Sequence, residues 1–89
     1  MKEKKIIISN KLGLHARAAA KIVTLTNKFQ SIIEIANDDK KADAKSIMKI
    51  LMLAAPQGTE IKITASGEDE SVAIKSLENL IKAKFNEEH

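Results

Sequence analysis

The spacing of apolar residues divides the chain into short segments, punctuated by Gly13, the Pro56-Gln57-Gly58 run and Gly67. Ile6-Ile7-Ile8 form a β-branched run within residues 4–9 that predicts a strand. Past Gly13, Ala19, Ile22, Val23 and Thr26 recur at i, i+3, i+4 and i+7, which predicts an amphipathic helix over residues 16–27. Residues 31–36 read as a second strand with Ile33 and Ile35 on one face. Asn37-Asp38-Asp39-Lys40 then turns the chain into a short third strand at residues 41–43. Ser46 opens an almost wholly apolar stretch over residues 47–55, whose methionines and leucines favour helix and which Pro56 ends. Residues 60–66 alternate strictly and turn Ile61, Ile63 and Ala65 inward. After Gly67, Asp69 is a candidate N-cap, and a helix follows to about residue 85 with Ile74, Leu77 and Ile81 as its apolar stripe and Leu80 beside it.

The order β-α-β-β-α-β-α, with helices apolar on one stripe and strands alternating in polarity, predicts an α+β fold. The economical form is an open-faced β-sandwich, a four-stranded antiparallel sheet with three helices on one face. At 89 residues the chain has room for a single domain over 1–89 and one small core. Hydrophobic residues at 44% and charged residues at 30% are ordinary for a globular protein. Without cysteine, no disulfide, thiolate metal site or cysteine nucleophile is available, so stability must come from packing, in keeping with a reducing cytoplasm. The N-terminus lacks the apolar run of a signal peptide or membrane span, so neither export nor membrane insertion is expected.

A net charge of +3 suits docking onto an acidic partner and, taken alone, nucleic acid as well. Two Phe and no Tyr or Trp leave the chain without stacking platforms, which argues against a nucleic-acid partner.

Of the two histidines, His89 lies on a tail that reads as frayed, whereas His15 stands between Gly13-Leu14 and the first turn of the first helix. There the backbone N–H groups of Ala16, Arg17 and Ala18 lack intrahelical partners and form an anion site. Arg17 adds a guanidinium able to grip phosphate oxygens in bidentate fashion. The helix dipole and Arg17 both favour the neutral imidazole that can attack phosphorus, and both can stabilise the dianion that results. From position alone, an accidental helix-start histidine beside a solvated arginine is the more frequent arrangement.

The segment Lys11-Leu12-Gly13-Leu14-His15-Ala16-Arg17-Ala18-Ala19 closely resembles the active-site segment of the HPr family, the histidine phosphocarriers of the bacterial phosphotransferase system. Ala44-Lys45-Ser46-Ile47-Met48 resembles that family's regulatory serine segment. Gln57-Gly58-Thr59 and Ala65-Ser66-Gly67-Glu68-Asp69-Glu70 resemble its later turns, and the spacing agrees over essentially the whole chain. The resemblance implies that His15 takes phosphate on Nδ1 from enzyme I, itself charged by phosphoenolpyruvate, and hands it to a IIA protein or domain. Arg17 would assist at the phosphate. The protein would be a carrier rather than an enzyme, a monomer, with no cofactor and no metal.

By the same comparison, Ser46 would be the target of an HPr kinase/phosphorylase, a role compatible with that of a plain helix N-cap. Ile47, Met48, Leu51 and Met52 are too many for the buried stripe of one short helix. Those left exposed beside Lys45 and Lys49 read as a partner-docking surface, against the alternative that they fill the core. Lys21 and Lys28 extend the basic rim or are simply solvated. Two positions depart from the common family pattern: Ala18 stands where many members have proline, and Leu12 replaces a small polar residue. The form found here looks like nitrogen-type members, so a regulatory relay stands beside sugar uptake as the downstream process. An interaction or RNA-binding module that has lost the relay is the reading from another class.

Overall fold

A computed structural model describes residues 1–86, and His89 lies outside them. The elements are β1 (Lys2–Ile7), α1 (Ala16–Thr26), β2 (Ile32–Asn37), β3 (Lys40–Asp43), α2 (Ile47–Met52), β4 (Glu60–Ser66) and α3 (Glu70–Lys82), followed by a tight turn at Lys84–Asn86. The strands form one antiparallel sheet in the order β1-β4-β2-β3. The inward residues Ile61, Ile63 and Ala65 of β4 lie between Ile6 of β1 and Ile33 and Ile35 of β2. Ala18, Ile22, Ile50, Leu77 and Ile81 from the helices close over this face and bury one continuous apolar core. The other face stays open and polar, with Glu3 and Lys62 paired across β1 and β4 at 3.9 Å. This is the predicted α+β open-faced sandwich.

α1, β2 and β3 differ from the sequence reading by a single residue at an end, and β1, α2 and α3 by more. β1 covers Lys2–Ile7 rather than residues 4–9, because it pairs with β4 from Lys2↔Ala65 to Ile7↔Glu60. That register puts Lys4 opposite Ile63, on the helix-covered side. Its ammonium lies 3.5 Å from the Glu78 carboxylate on α3, which Lys75 and Lys82 also approach, at 3.8 and 3.0 Å. A lysine can occupy an inward position at a sheet edge when its stem packs and its charge meets a partner. The Lys82 hydrogen bond, ahead of the other lysine charges, holds the Glu78 carboxyl below its ordinary range against the effect of desolvation.

α2 ends at Met52, well short of Pro56. Leu53 and Ala55 are both buried, so the chain must leave the helical path between them. Ala54 does this with φ +51°, after the last turn tightens into i→i−3 bonds from Leu53 to Ile50 and from Ala54 to Leu51. α3 likewise stops at Lys82, short of residue 85. Lys84, Phe85 and Asn86 all take positive φ, which turns the fully buried Phe85 ring into the core beneath the helices.

Asp69 occupies the N-cap position of α3 but makes no side-chain cap. Its carboxylate instead accepts hydrogen bonds from Gln30 and Ser31, where β2 begins. Gly67, immediately upstream, lies so close to this point that a Cβ would sit 2.7 Å from Ser31 Oγ.

Candidate functional site

The connection from β1 to α1 is held by its own backbone. Asn10, fully buried, donates from Nδ2 to the Gly13 carbonyl at 2.8 Å, and Gly13 returns its N–H to the Asn10 carbonyl at 3.2 Å. Gly13 has φ +67°, and a Cβ there would lie 2.4 Å from the Ala55 carbonyl oxygen and 2.8 Å from Pro56 Cα. Only glycine fits this conformation and this approach together. Leu14 follows into the core and donates its N–H to the Ala55 carbonyl at 3.0 Å, fastening the loop to the connection between α2 and β4. Asn10 was not singled out from sequence, although an Asn three residues before a Gly is a recognisable turn signature.

His15 is the N-cap of α1, in extended backbone conformation (φ −81°, ψ 177°), and its side chain is half-buried. Its carbonyl accepts the first bond of the helix from Ala19 N–H at 2.9 Å, so the amides of Ala16, Arg17 and Ala18 precede the ladder. Ala16 and Arg17 are exposed, while Ala18 is fully buried. Core packing at Ala18 thus holds the first turn in place. The arrangement is an imidazole beside the positive end of a helix dipole, which can receive a negatively charged group without enclosing it.

α2 packs beside α1. Ser46 caps α2, its Oγ accepting from Lys49 N–H at 3.3 Å. Met48 and Met52 are 69% and 68% exposed, Ile47 and Lys49 are exposed, and Leu51 is half-buried against the core. Leu12, in the loop before His15, is exposed as well. The cation of Lys45 faces inward: Nζ donates to the Phe29 carbonyl at 2.7 Å, joining the segment before α2 to the end of the α1–β2 connection. Lys21 is engaged similarly with the Phe85 carbonyl. Among the described residues, no three His, Cys, Asp or Glu side chains come together as a metal site. No helix among them is long and apolar enough to cross a membrane.

Fold and site together define a small α+β protein that presents one imidazole at the open start of a helix, next to an exposed apolar patch on a second helix. A family profile described as "PTS HPr component phosphorylation site" matches residues 2–83. The chain is 47% identical over 88 residues to a phosphocarrier protein HPr of Xylella fastidiosa, covering 99% of each chain. It is also 41% identical over 85 residues to a phosphocarrier protein NPr of Shewanella violacea, covering 96% of this chain and 93% of the other. The crystal structure of HPr-C-His from Thermoanaerobacter tengcongensis superposes over 100% of both chains with a TM-score of 0.96 and 52% identity. An HPr dimer crystallised from the same organism covers 98% of this chain and all of the other, with a TM-score of 0.78. The chain belongs to the HPr family of phosphocarrier proteins of the phosphotransferase system.

Proposed function

We propose that this protein carries phosphate on His15 within a phosphotransferase relay in the cytoplasm, receiving it from phosphorylated enzyme I and giving it to a IIA protein or domain. The observation that carries this reading is the place of His15 as N-cap of α1, ahead of three amides that precede the helix ladder. In the receiving step the Nδ1 lone pair attacks phosphorus in line, a P–N bond forms, and the bond to the donor breaks with its electron pair returning to the donor atom. In the giving step the same P–N bond breaks toward the acceptor.

The carried group adds roughly two negative charges at neutral pH. The amides of Ala16, Arg17 and Ala18 and the Arg17 guanidinium stabilise it. At an exposed helix start such interactions are worth about 0.3–1 kcal/mol each, weak enough for the group to leave again. Ile47, Met48, Lys49, Leu51 and Met52 supply a docking surface for both partners, and Lys45 supports it from behind through Phe29. The working unit is a monomer, a reading supported by the lysines at 2, 4 and 5 on edge strand β1, which oppose strand pairing between copies. Phosphorylation of Ser46 by an HPr kinase/phosphorylase places negative charge at the start of α2 and weakens docking by like-charge repulsion.

The test is labelling with enzyme I and phosphoenolpyruvate: the wild type takes up acid-labile phosphate and His15→Ala takes up none. Undiminished labelling of the variant overturns the assignment. Arg17→Ala is expected to fold and to transfer more slowly. A second reading, a nitrogen-type or regulatory relay, is favoured by Leu12 and by the similarity to an NPr. Presenting the charged protein to purified IIA proteins of each type separates the two readings, since only the true acceptor discharges it rapidly.

A further inference from the structure

β1 ends the sheet: it pairs with β4 along one edge, and among the described residues no strand covers its other edge. Ile8, next along the chain, donates its N–H to the Thr59 carbonyl at 2.9 Å and accepts from Gly58 N–H at 2.8 Å, so its backbone groups face the β4 side. Strand alternation then turns the backbone groups of Ile6, Lys4 and Lys2 the same way and those of Glu3, Lys5 and Ile7 outward. An edge of open donors and acceptors results. The same alternation sets the side chains of Lys2 and Lys4 toward α3 and those of Glu3, Lys5 and Ile7 on the open face.

Hollows of about 400 and 250 Å³ flank the Lys4–Glu78 ion pair along the seam between β1 and α3. Glu78 there answers Lys4, Lys75 and Lys82 together, at 3.5, 3.8 and 3.0 Å, and Lys2 lines the same seam. Glu70 is held by the Met1 ammonium at 3.0 Å, and Glu60, at the rim of the larger hollow, alternates with inward Ile61 and so belongs to the open face. The seam keeps a surplus of positive charge. No residue of α1 or α2 lines it.

We infer that the free edge of β1 receives an extended acidic segment of a partner protein, which joins the antiparallel sheet as a fifth strand. Backbone bonds to Glu3, Lys5 and Ile7 supply affinity, and the side chains of the added strand supply specificity. Opposed residues of an antiparallel pair share a face, so side chains across from Lys2, Lys4 and Ile6 project over the seam with α3. The surplus lysines there call for a carboxylate at every second position. The residues between them meet Glu3, Lys5 and Ile7, a mixed surface that suits a β-branched polar side chain such as threonine. Lysines that oppose pairing between copies thus select an acidic strand. Because the seam lies apart from α1 and α2, the partner stays bound while the relay surface is in use, whether or not His15 carries phosphate. That consequence rests on the relay reading; the strand addition does not.

The probe is a peptide of about eight residues alternating Glu and Thr, about 26 Å long when extended and so enough to overrun β1. Titrated into the full-length protein, it is expected to slow hydrogen exchange at the amides of Glu3, Lys5 and Ile7. Methylating its threonine amides, which point at β1, should abolish binding, whereas methylating its glutamate amides, which point away, should change affinity by about twofold or less. Lys2→Glu should weaken binding about tenfold by placing a carboxylate in the seam, and Lys5→Glu, on the open face, about threefold at most. Both lysines are exposed, and melting temperatures check that both variants fold. Equal binding of the two methylated peptides, or equal loss from the two lysine variants, overturns the added strand. So do shifts confined to Met48 and Met52. Slow exchange at Glu3, Lys5 and Ile7 in concentrated protein without peptide gives the edge to a second copy and overturns the acidic partner. Enzyme I labelling should run at an undiminished rate with the peptide bound, and inhibition overturns the separation of the two surfaces. Failure of labelling without peptide bears on His15 alone.

Discussion

The Asp69 carboxylate reaches from the start of α3 to Ser31 at the start of β2, taking the Ser31 hydroxyl and backbone N–H and the N–H of Gln30. The Ser31 hydroxyl, then the Gln30 amide, lowers its pKa below the ordinary aspartate range. A carboxyl whose pKa is depressed in the fold adds stability above its unfolded pKa of about 4 and loses it as pH falls through the lower folded value. Asp69→Asn is expected to be less stable than wild type at pH 7, with the gap closing below about pH 4 as the wild type is protonated. Urea midpoints measured from pH 7 to pH 2 check this. A gap independent of pH would show that the carboxylate charge contributes nothing.

Gly13→Ala should damage both stability and transfer. The new Cβ meets the Ala55 carbonyl oxygen at 2.4 Å in a backbone of φ +67°. The left-handed conformation alone costs an alanine about 1–2 kcal/mol, and the clash adds to it. Because Leu14 and His15 follow directly, the relaxation moves the helix start. We expect a loss of more than about 2 kcal/mol in urea unfolding, together with slowed phosphate uptake from enzyme I.

Ser46 variants separate the cap from the charge. Ser46→Ala removes the acceptor for Lys49 N–H and should cost about 1 kcal/mol of stability with little change in phosphate uptake. Ser46→Asp keeps an efficient cap and adds negative charge, so stability is retained while uptake from enzyme I slows. Thermal melts paired with labelling rates read both effects.

Phe85→Ala tests the terminal turn. Phe85 is fully buried just beyond α3, and its carbonyl holds the Lys21 ammonium. Truncating a buried Phe costs about 3–5 kcal/mol, a large share of the roughly 5–15 kcal/mol that holds a domain of this kind. Calorimetry should show a much lower melting temperature. A shift of a degree or two would mean that the turn is dispensable.

What could be read along the chain was what neighbouring residues settle among themselves. The alternation of Glu60–Ser66 gave the central strand to the residue, because an unbroken period of two has one structural solution. His15 was legible as a helix start from the Gly13 break and the apolar period behind it, and Ser46 as a cap from the helix it opens. Partners brought from far along the chain were not legible. Lys4 faces inward because Glu78 waits on α3, Lys45 turns to the Phe29 carbonyl, and Asp69 leaves its own helix for Ser31, 38 residues away. α2 and α3 stop where Leu53, Ala55 and Phe85 find the core, which their own propensities do not reveal. Local sequence determined the elements and the place of the imidazole, since hydrophobic period and capping act within a turn or two. Only packing decided where the helices end and what each charged side chain meets, because those choices depend on surfaces that exist once the sheet and helices have come together.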